Sequence, residues 1–213
     1  MRPLPDHDTR PGEPAHDDAP RNLTSPTLTI MKRPVLLLMT ALLLTACSGG
    51  QPPAAEPQVS ASFAQGGEGP AFTYDPALVP VGSTVAVTHA EQDGATVATL
   101  RVTGLLPNRT YGAHAHTRPC TAASGADAGP HYQFSEDPVT PSVDPSYANP
   151  MNEIWLDVTT DANGAGESTA TVPWVFPDDR RAESVVLHEK PTASHAGHAG
   201  TAGGRPACVT VDF

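Results

Sequence analysis

The chain has 213 residues, 12 lysines and arginines against 23 aspartates and glutamates, and a formal net charge of −11. An acidic body with no basic stripe excludes nucleic acid as a partner, because phosphate binding rests on clustered Lys and Arg. The acidity itself serves solubility.

Residues 1–30 carry Pro, Asp, His and Arg with no hydrophobic period, the composition of a disordered segment or of an upstream start. A second methionine, Met31, opens a stretch with the order of an export signal. Met31-Lys32-Arg33 is a short basic region, residues 35–44 are an apolar run, and Leu44-Thr45-Ala46-Cys47 closes it. The run is too short to span a bilayer comfortably, so residues 31–46 read as a cleaved signal. Its L-T-A-C ending resembles a bacterial lipoprotein signal, which implies lipidation at Cys47. The expectation is an exported protein of the cell envelope, periplasmic or extracytoplasmic, touching a membrane only through that lipid.

Residues 47–75 are mostly Ser, Gly, Gln, Pro and Ala and read as a flexible tether. Residues 76–213 remain, enough chain for one domain with one core. With Cys47 assigned to lipid, only Cys120 and Cys208 are left. In an oxidising compartment two such thiols are more often paired than free.

From Gly82 onward the pattern is one of short alternating runs broken by turn residues. Residues 83–89 and 95–102 are joined through Asp93-Gly94, which predicts a hairpin. Residues 110–116 form the next run. Residues 117–150 hold six prolines and no period, and a loop of that length is functional or pinned. Strands are expected again over 153–160, 167–175, 184–189 and 207–213, with a His-, Ala- and Gly-rich loop over 190–204. No stretch has a sustained helical period. The fold class that follows is all-β, an antiparallel sandwich or barrel of about seven to eight strands with long loops.

The chemistry concentrates in four pieces. His114-Ala115-His116 places two imidazoles on one face of a strand, because side chains alternate with period two. Two rings on one face are half of a nitrogen-rich metal site. His131 in Gly129-Pro130-His131, His188 in Val186-Leu187-His188-Glu189, and Arg205 in Gly204-Arg205-Pro206-Ala207-Cys208 are the other pieces. Taken in order, H-x-H, C, G-P-H, V-x-H-E and G-x-R-x-x-C resemble copper-zinc superoxide dismutase over roughly residues 80–213. The resemblance implies a Greek-key β-barrel. It makes His114, His116, His131 and His188 the copper ligands, Arg205 the cation that attracts and orients superoxide, and Cys120–Cys208 an intrachain disulfide. It also makes His131 a proton carrier toward peroxide.

The departures from the family matter as much. The two further histidines of a zinc site belong between His131 and Asp161, where this chain has none. The zinc aspartate has no counterpart in Asn152-Glu153-Ile154-Trp155-Leu156-Asp157, and Asp157 falls in a strand run. The acid expected to link the two metals is missing, since residues 190–204 hold neither Asp nor Glu. A copper-only centre follows, with no zinc; Asp127, Glu136, Asp137 and Asp144 beside His131 are a weak substitute set. The function implied is superoxide dismutation, with a copper-binding or copper-storage lipoprotein on the same scaffold as the alternative. His89 reads as structural, and His195 and His198 as exposed histidines of a flexible loop, too Gly-rich for the helical turn that would join them. Oligomeric state is not set by the sequence.

Overall fold

The computed structural model describes residues 58–213. The expectations for residues 1–46 and for lipidation at Cys47 lie outside them. Ten strands are present: β1 Val59–Ser62, β2 Ala71–Thr73, β3 Thr84–Gln92, β4 Ala95–Thr103, β5 Thr110–Tyr111, β6 Ala113–His116, β7 Val158–Thr159, β8 Gly166–Val172, β9 Ser184–Leu187 and β10 Ala207–Thr210. One 3-10 turn, Gly125–Ala128, interrupts the long loop. Among the described residues no helix is long and apolar enough to cross a membrane.

The strands form two four-stranded antiparallel sheets, β1-β3-β4-β8 and β2-β10-β9-β6, with a small β5-β7 pair. After β4 the chain crosses to the second sheet as β6. It then returns beside β4 as β8 and crosses again to pair β9 with β6. These crossings make a Greek-key arrangement, the all-β class expected. The β3–β4 hairpin turns at Asp93 and Gly94, both at positive φ (53° and 78°), so Gln92 pairs with Ala95. That conformation suits the tight turns whose twist matches the strands.

Two expectations are corrected. Residues 47–75 are not a tether throughout, because β1 and β2 lie inside that stretch and add an edge strand to each sheet. Phe63, Ala71 and Phe72 are buried there. Their few apolar side chains suffice because the backbone groups of both strands are satisfied by β3 and β10. The run over 153–160 is not one strand either. It divides into a single bridge between Trp155 and His114 and the two-residue β7, and buries Glu153 on the way.

Alternation in the second sheet builds the site. Ala113 and Ala115 of β6, Val185 and Leu187 of β9, and Ala207 and Val209 of β10 face the main core with Val85, Val87, Leu100 and Val102. The intervening side chains must point the other way. Val186 and Cys208 accordingly pack with Ala128 of the long loop in a second small cluster. His114 and His116 share that outer face, yet both are buried, because the loop roofs them. Gly112 allows the close fit at the start of β6: a Cβ there would lie 2.7 Å from both the Ala202 Cβ and the Lys190 carbonyl.

Candidate metal centre

Each ligand candidate is set by a different element. His114 and His116 come from β6, where they pair across to Val186 and Ser184 of β9. His131 is carried by the long loop, which bridges back to β6 opposite His116. His188 follows β9 directly, and Arg205 precedes β10, where Leu187 is registered against Ala207. One candidate ligand atom from each of His114, His116, His131 and His188 lies within 4.8 Å of the others. Nitrogens on opposite sides of one ion with bonds of about 2.0–2.1 Å would be about 4 Å apart. Closing the difference takes a few tenths of an ångström per ring, well within side-chain adjustment.

Hydrogen bonds decide which nitrogen three of the four rings offer. Thr192 donates its hydroxyl to Asp157 Oδ1 at 2.5 Å, so its oxygen must accept from His114 Nε2 at 2.7 Å. That leaves His114 Nδ1 without a proton; the atom is buried and has no partner. His116 Nδ1 donates to the Gly129 carbonyl at 2.9 Å, and His131 Nδ1 donates to Glu153 Oε2 at 2.8 Å. Both partners can only accept here, so Nε2 of each ring is bare. His116 Nε2 lies 3.4 Å from His188 Nε2. Bare nitrogens of His114, His116 and His131 converging beside His188 fit a metal cation.

Electrostatics agree. Burial lowers the pKa of His114 well below the ordinary imidazole value, with His131, His188, His116 and Arg205 adding to it. His116 is lowered likewise, first by burial and then by His131, Arg205 and His188. His188 falls to about 3, again mainly through burial; the backbone of Gly203 and Gly204 opposes the shift without closing a hydrogen bond to Nδ1. All three rings are neutral at physiological pH and available as ligands.

Arg205 is half-buried and has no carboxylate partner among the described residues. Its Nη1 donates to the carbonyls of Gly125 (3.2 Å) and Gly129 (2.7 Å). The Gly129 carbonyl therefore serves both His116 and Arg205. Burial, and after it the neighbouring Arg118, press against the charge of Arg205. Both guanidinium groups, His131 and His188 line one cavity of about 870 Å³ that opens to solvent. Cys120 and Cys208 are bonded, with Cα atoms 5.8 Å apart and a sequence separation of 88. The bond ties the loop that carries His131 to β10 three residues beyond Arg205.

Several residues of the site were not singled out from the sequence. Glu153 is 1% exposed, and its carboxylate accepts from His131, from Trp155 Nε1 at 2.6 Å and from Gln133 Nε2 at 2.7 Å. Asp157 belongs to the site through Thr192, so the link between the 190–204 loop and His114 is made by a threonine and a remote aspartate. No short motif marks either contact, since each joins residues 22 or more positions apart. The four acids weighed as a weak substitute set each bond another residue. Asp127 bonds Thr121, Glu136 pairs with Arg180, Asp137 holds Ser142, and Asp144 caps Ser146. His89, read as structural, lies against Phe213 with ring centroids 5.2 Å apart.

No protein-family model matches the sequence, and no curated protein matches it as a relative. Solved structures do resemble it. A Cu/Zn superoxide dismutase from Brucella abortus has 19% identity and a TM-score of 0.49, covering 72% of this chain and 100% of that one. A mutant SOD-like protein from Bacillus subtilis has 14% identity and a TM-score of 0.46, covering 62% of this chain and 90% of that one. A double mutant of a SOD-like protein from the same organism has 15% identity and a TM-score of 0.45, covering 62% and 89%. At such identities the chemistry has to be read from this chain's own residues.

Proposed function

We propose that this protein is a superoxide dismutase acting at one copper ion held by His114, His116, His131 and His188, with no zinc beside it. The observation that carries the reading is Arg205. It is a half-buried cation with no carboxylate partner among the described residues, fixed by the same Gly129 carbonyl that orients His116, and it faces the cavity that His131 and His188 share. A copper store has no use for such a group; an enzyme that draws a small anion onto the metal does.

Bound copper would supply one-electron chemistry, so that two superoxide ions and two protons become dioxygen and hydrogen peroxide. The chain's own part can be stated residue by residue. Arg205 offers a permanent charge and a forked set of donors to the anion. Arg118, exposed at the same mouth, adds a second positive charge that lengthens the reach of the attraction. His131 holds a proton on Nδ1 against Glu153 and has Nε2 turned to the reacting centre. A proton taken at Nε2 would make an imidazolium paired with the Glu153 carboxylate, ready to be handed to peroxide.

Glu153 is also what supports the zinc-free reading. The His131 nitrogen that would face a second metal is already bonded to a carboxylate whose oxygens are filled by three donors. Copper is favoured for the four-nitrogen set because imidazole suits it in both oxidation states. We further propose that the mature chain is lipid-anchored at Cys47 in the cell envelope, supported by its export signal and by the Cys120–Cys208 bond. Loss of fatty-acid labelling in Cys47→Ser would check that anchor.

The decisive experiment measures dismutation by copper-loaded protein beside Arg205→Ala and His116→Ala. The expected result is activity well above free copper, reduced in Arg205→Ala with copper still bound, and abolished in His116→Ala. Copper bound tightly with no dismutation above free copper would favour storage instead. Titration with zinc tests the other half, since one tight zinc per chain at a non-copper site would sink the single-metal claim.

A further inference from the structure

One histidine pair has no task in this chemistry. His195 and His198 sit in the Gly-rich stretch expected to be slack, but the backbone there is closely tied. His198 N donates to the His195 carbonyl at 3.1 Å, and Thr201 returns to the His198 carbonyl through N at 3.0 Å and Oγ1 at 2.7 Å. Gly197 N reaches the Val143 carbonyl at 3.1 Å, and Gly200 N the Ala193 carbonyl at 2.9 Å. The resulting turn supplies the i, i+3 geometry that glycine content had argued against. It brings the two rings to a centroid separation of 4.9 Å with their planes 42° apart. Both residues are exposed. Among the described residues no hydrogen bond or ion pair engages a ring nitrogen of either.

We propose that His195 and His198 form an external docking site for one copper ion, from which copper passes to the buried four-histidine centre. With metal–nitrogen bonds of about 2.0 Å, two imidazoles at this spacing can share one ion at an angle near 100°. Two nitrogens on a surface bind more weakly than four gathered in one cluster, so transfer runs downhill. The placement suits delivery. Gly200, two residues on, packs over the partly exposed His131: a Cβ there would lie 3.6 Å from its Cε1 and Nδ1. Gly200, Thr201, Ala202 and Gly203 line the cavity that holds His131, His188 and Arg205.

The cavity wall carries Arg118 and Arg205 together with Glu136, Asp137 and Glu153, so its charges alone do not gather a metal ion. A pair of imidazoles close to the wall supplies nitrogen ligands that hold the ion before it exchanges inward. The transfer step rests on the copper reading of the buried centre; the docking step does not.

The test compares wild type with the double variant His195→Asn/His198→Asn, using copper alone as the probe. Protein whose buried centre is already filled is titrated with more copper by calorimetry. Wild type should take one further ion and the variant none; no further ion in wild type overturns the docking site. Loading of metal-free protein at limiting copper is then followed by quenching of tryptophan fluorescence. The variant should reach the same final occupancy about tenfold more slowly, since docking raises the local concentration of the ion. Loss of the second ion with an unchanged loading rate overturns the transfer role. His116→Ala separates the two readings, since it should lose the buried ion and keep the one at His195 and His198. An unchanged first ion in that variant would refute the buried centre while leaving the docking site standing.

Discussion

Replacing Glu153 by Gln changes one atom's chemistry and should be felt at the metal. The native carboxylate accepts from three donors: His131 Nδ1 at 2.8 Å, Trp155 Nε1 at 2.6 Å and Gln133 Nε2 at 2.7 Å. An amide has one acceptor oxygen, so its NH2 must face at least one of those donors. One charge-assisted bond is lost and one buried N–H is left opposed, a cost of about 2–4 kcal/mol. The consequence for metal binding falls on His131, whose Nδ1–H is held by that carboxylate. With the charge gone, the ring is free to change tautomer or rotate, and Nε2 is no longer reserved for the metal. Partners of this kind typically govern 10–100-fold in metal affinity, about 1.4–2.7 kcal/mol. Competition for copper against a chromophoric chelator measures the affinity, and nitrogen-resolved NMR of the metal-free protein reports the His131 tautomer. A Glu153→Gln protein that melts lower yet binds copper within about twofold of wild type would refute the reasoning, reducing Glu153 to a packing role.

Three further outcomes are expected. Gly129→Ala should destabilise by about 1–3 kcal/mol from backbone conformation alone, since φ 78°, ψ −161° is a region essentially reserved for glycine. Its Cβ would also lie 2.6 Å from Thr117 Oγ1 and 2.9 Å from Arg118 Nε, moving the carbonyl shared by His116 and Arg205. Thermal melting and azide binding to the copper form should both worsen. The metal-free protein should lose stability as pH falls from about 6.5 toward about 3. His114, His116 and His188 have lowered pKa values when folded, so across that window the unfolded chain takes protons that the folded chain refuses. Each contributes a slope of up to about 1.4 kcal/mol per pH unit, and a melting temperature flat between pH 7 and pH 5 would contradict it. Changing Cys120 and Cys208 together to Ser should cost about 3–5 kcal/mol, the chain-entropy value for a closed loop of this length. Urea unfolding reads it directly, and an unchanged midpoint would show that the bond does not constrain the unfolded chain.

Much of this molecule is written locally. The alternation over residues 83–102 with Asp93-Gly94 between is enough to specify a hairpin, and β3 and β4 form it. The same period-two rule places His114 and His116 on one face, away from Ala113 and Ala115, and the structure gathers both with His131 and His188. What sequence could not assign are contacts made by chain without a period. Glu153 meets His131, and Thr192 joins His114 to Asp157, only because two irregular segments are folded against β6 by backbone bonds. The strands at residues 59–62 and 71–73 escaped for a related reason: their composition is that of a linker, and the sheet edges beside them supply the order. The pairing of His195 with His198 likewise depends on backbone bonds that hold the turn closed, one of them to Val143 of the long loop. Residue type and spacing determine which side chains carry the chemistry. Only the tertiary structure decides which nitrogen of His114, His116 and His131 is left for a metal, because that depends on the group lying behind the ring.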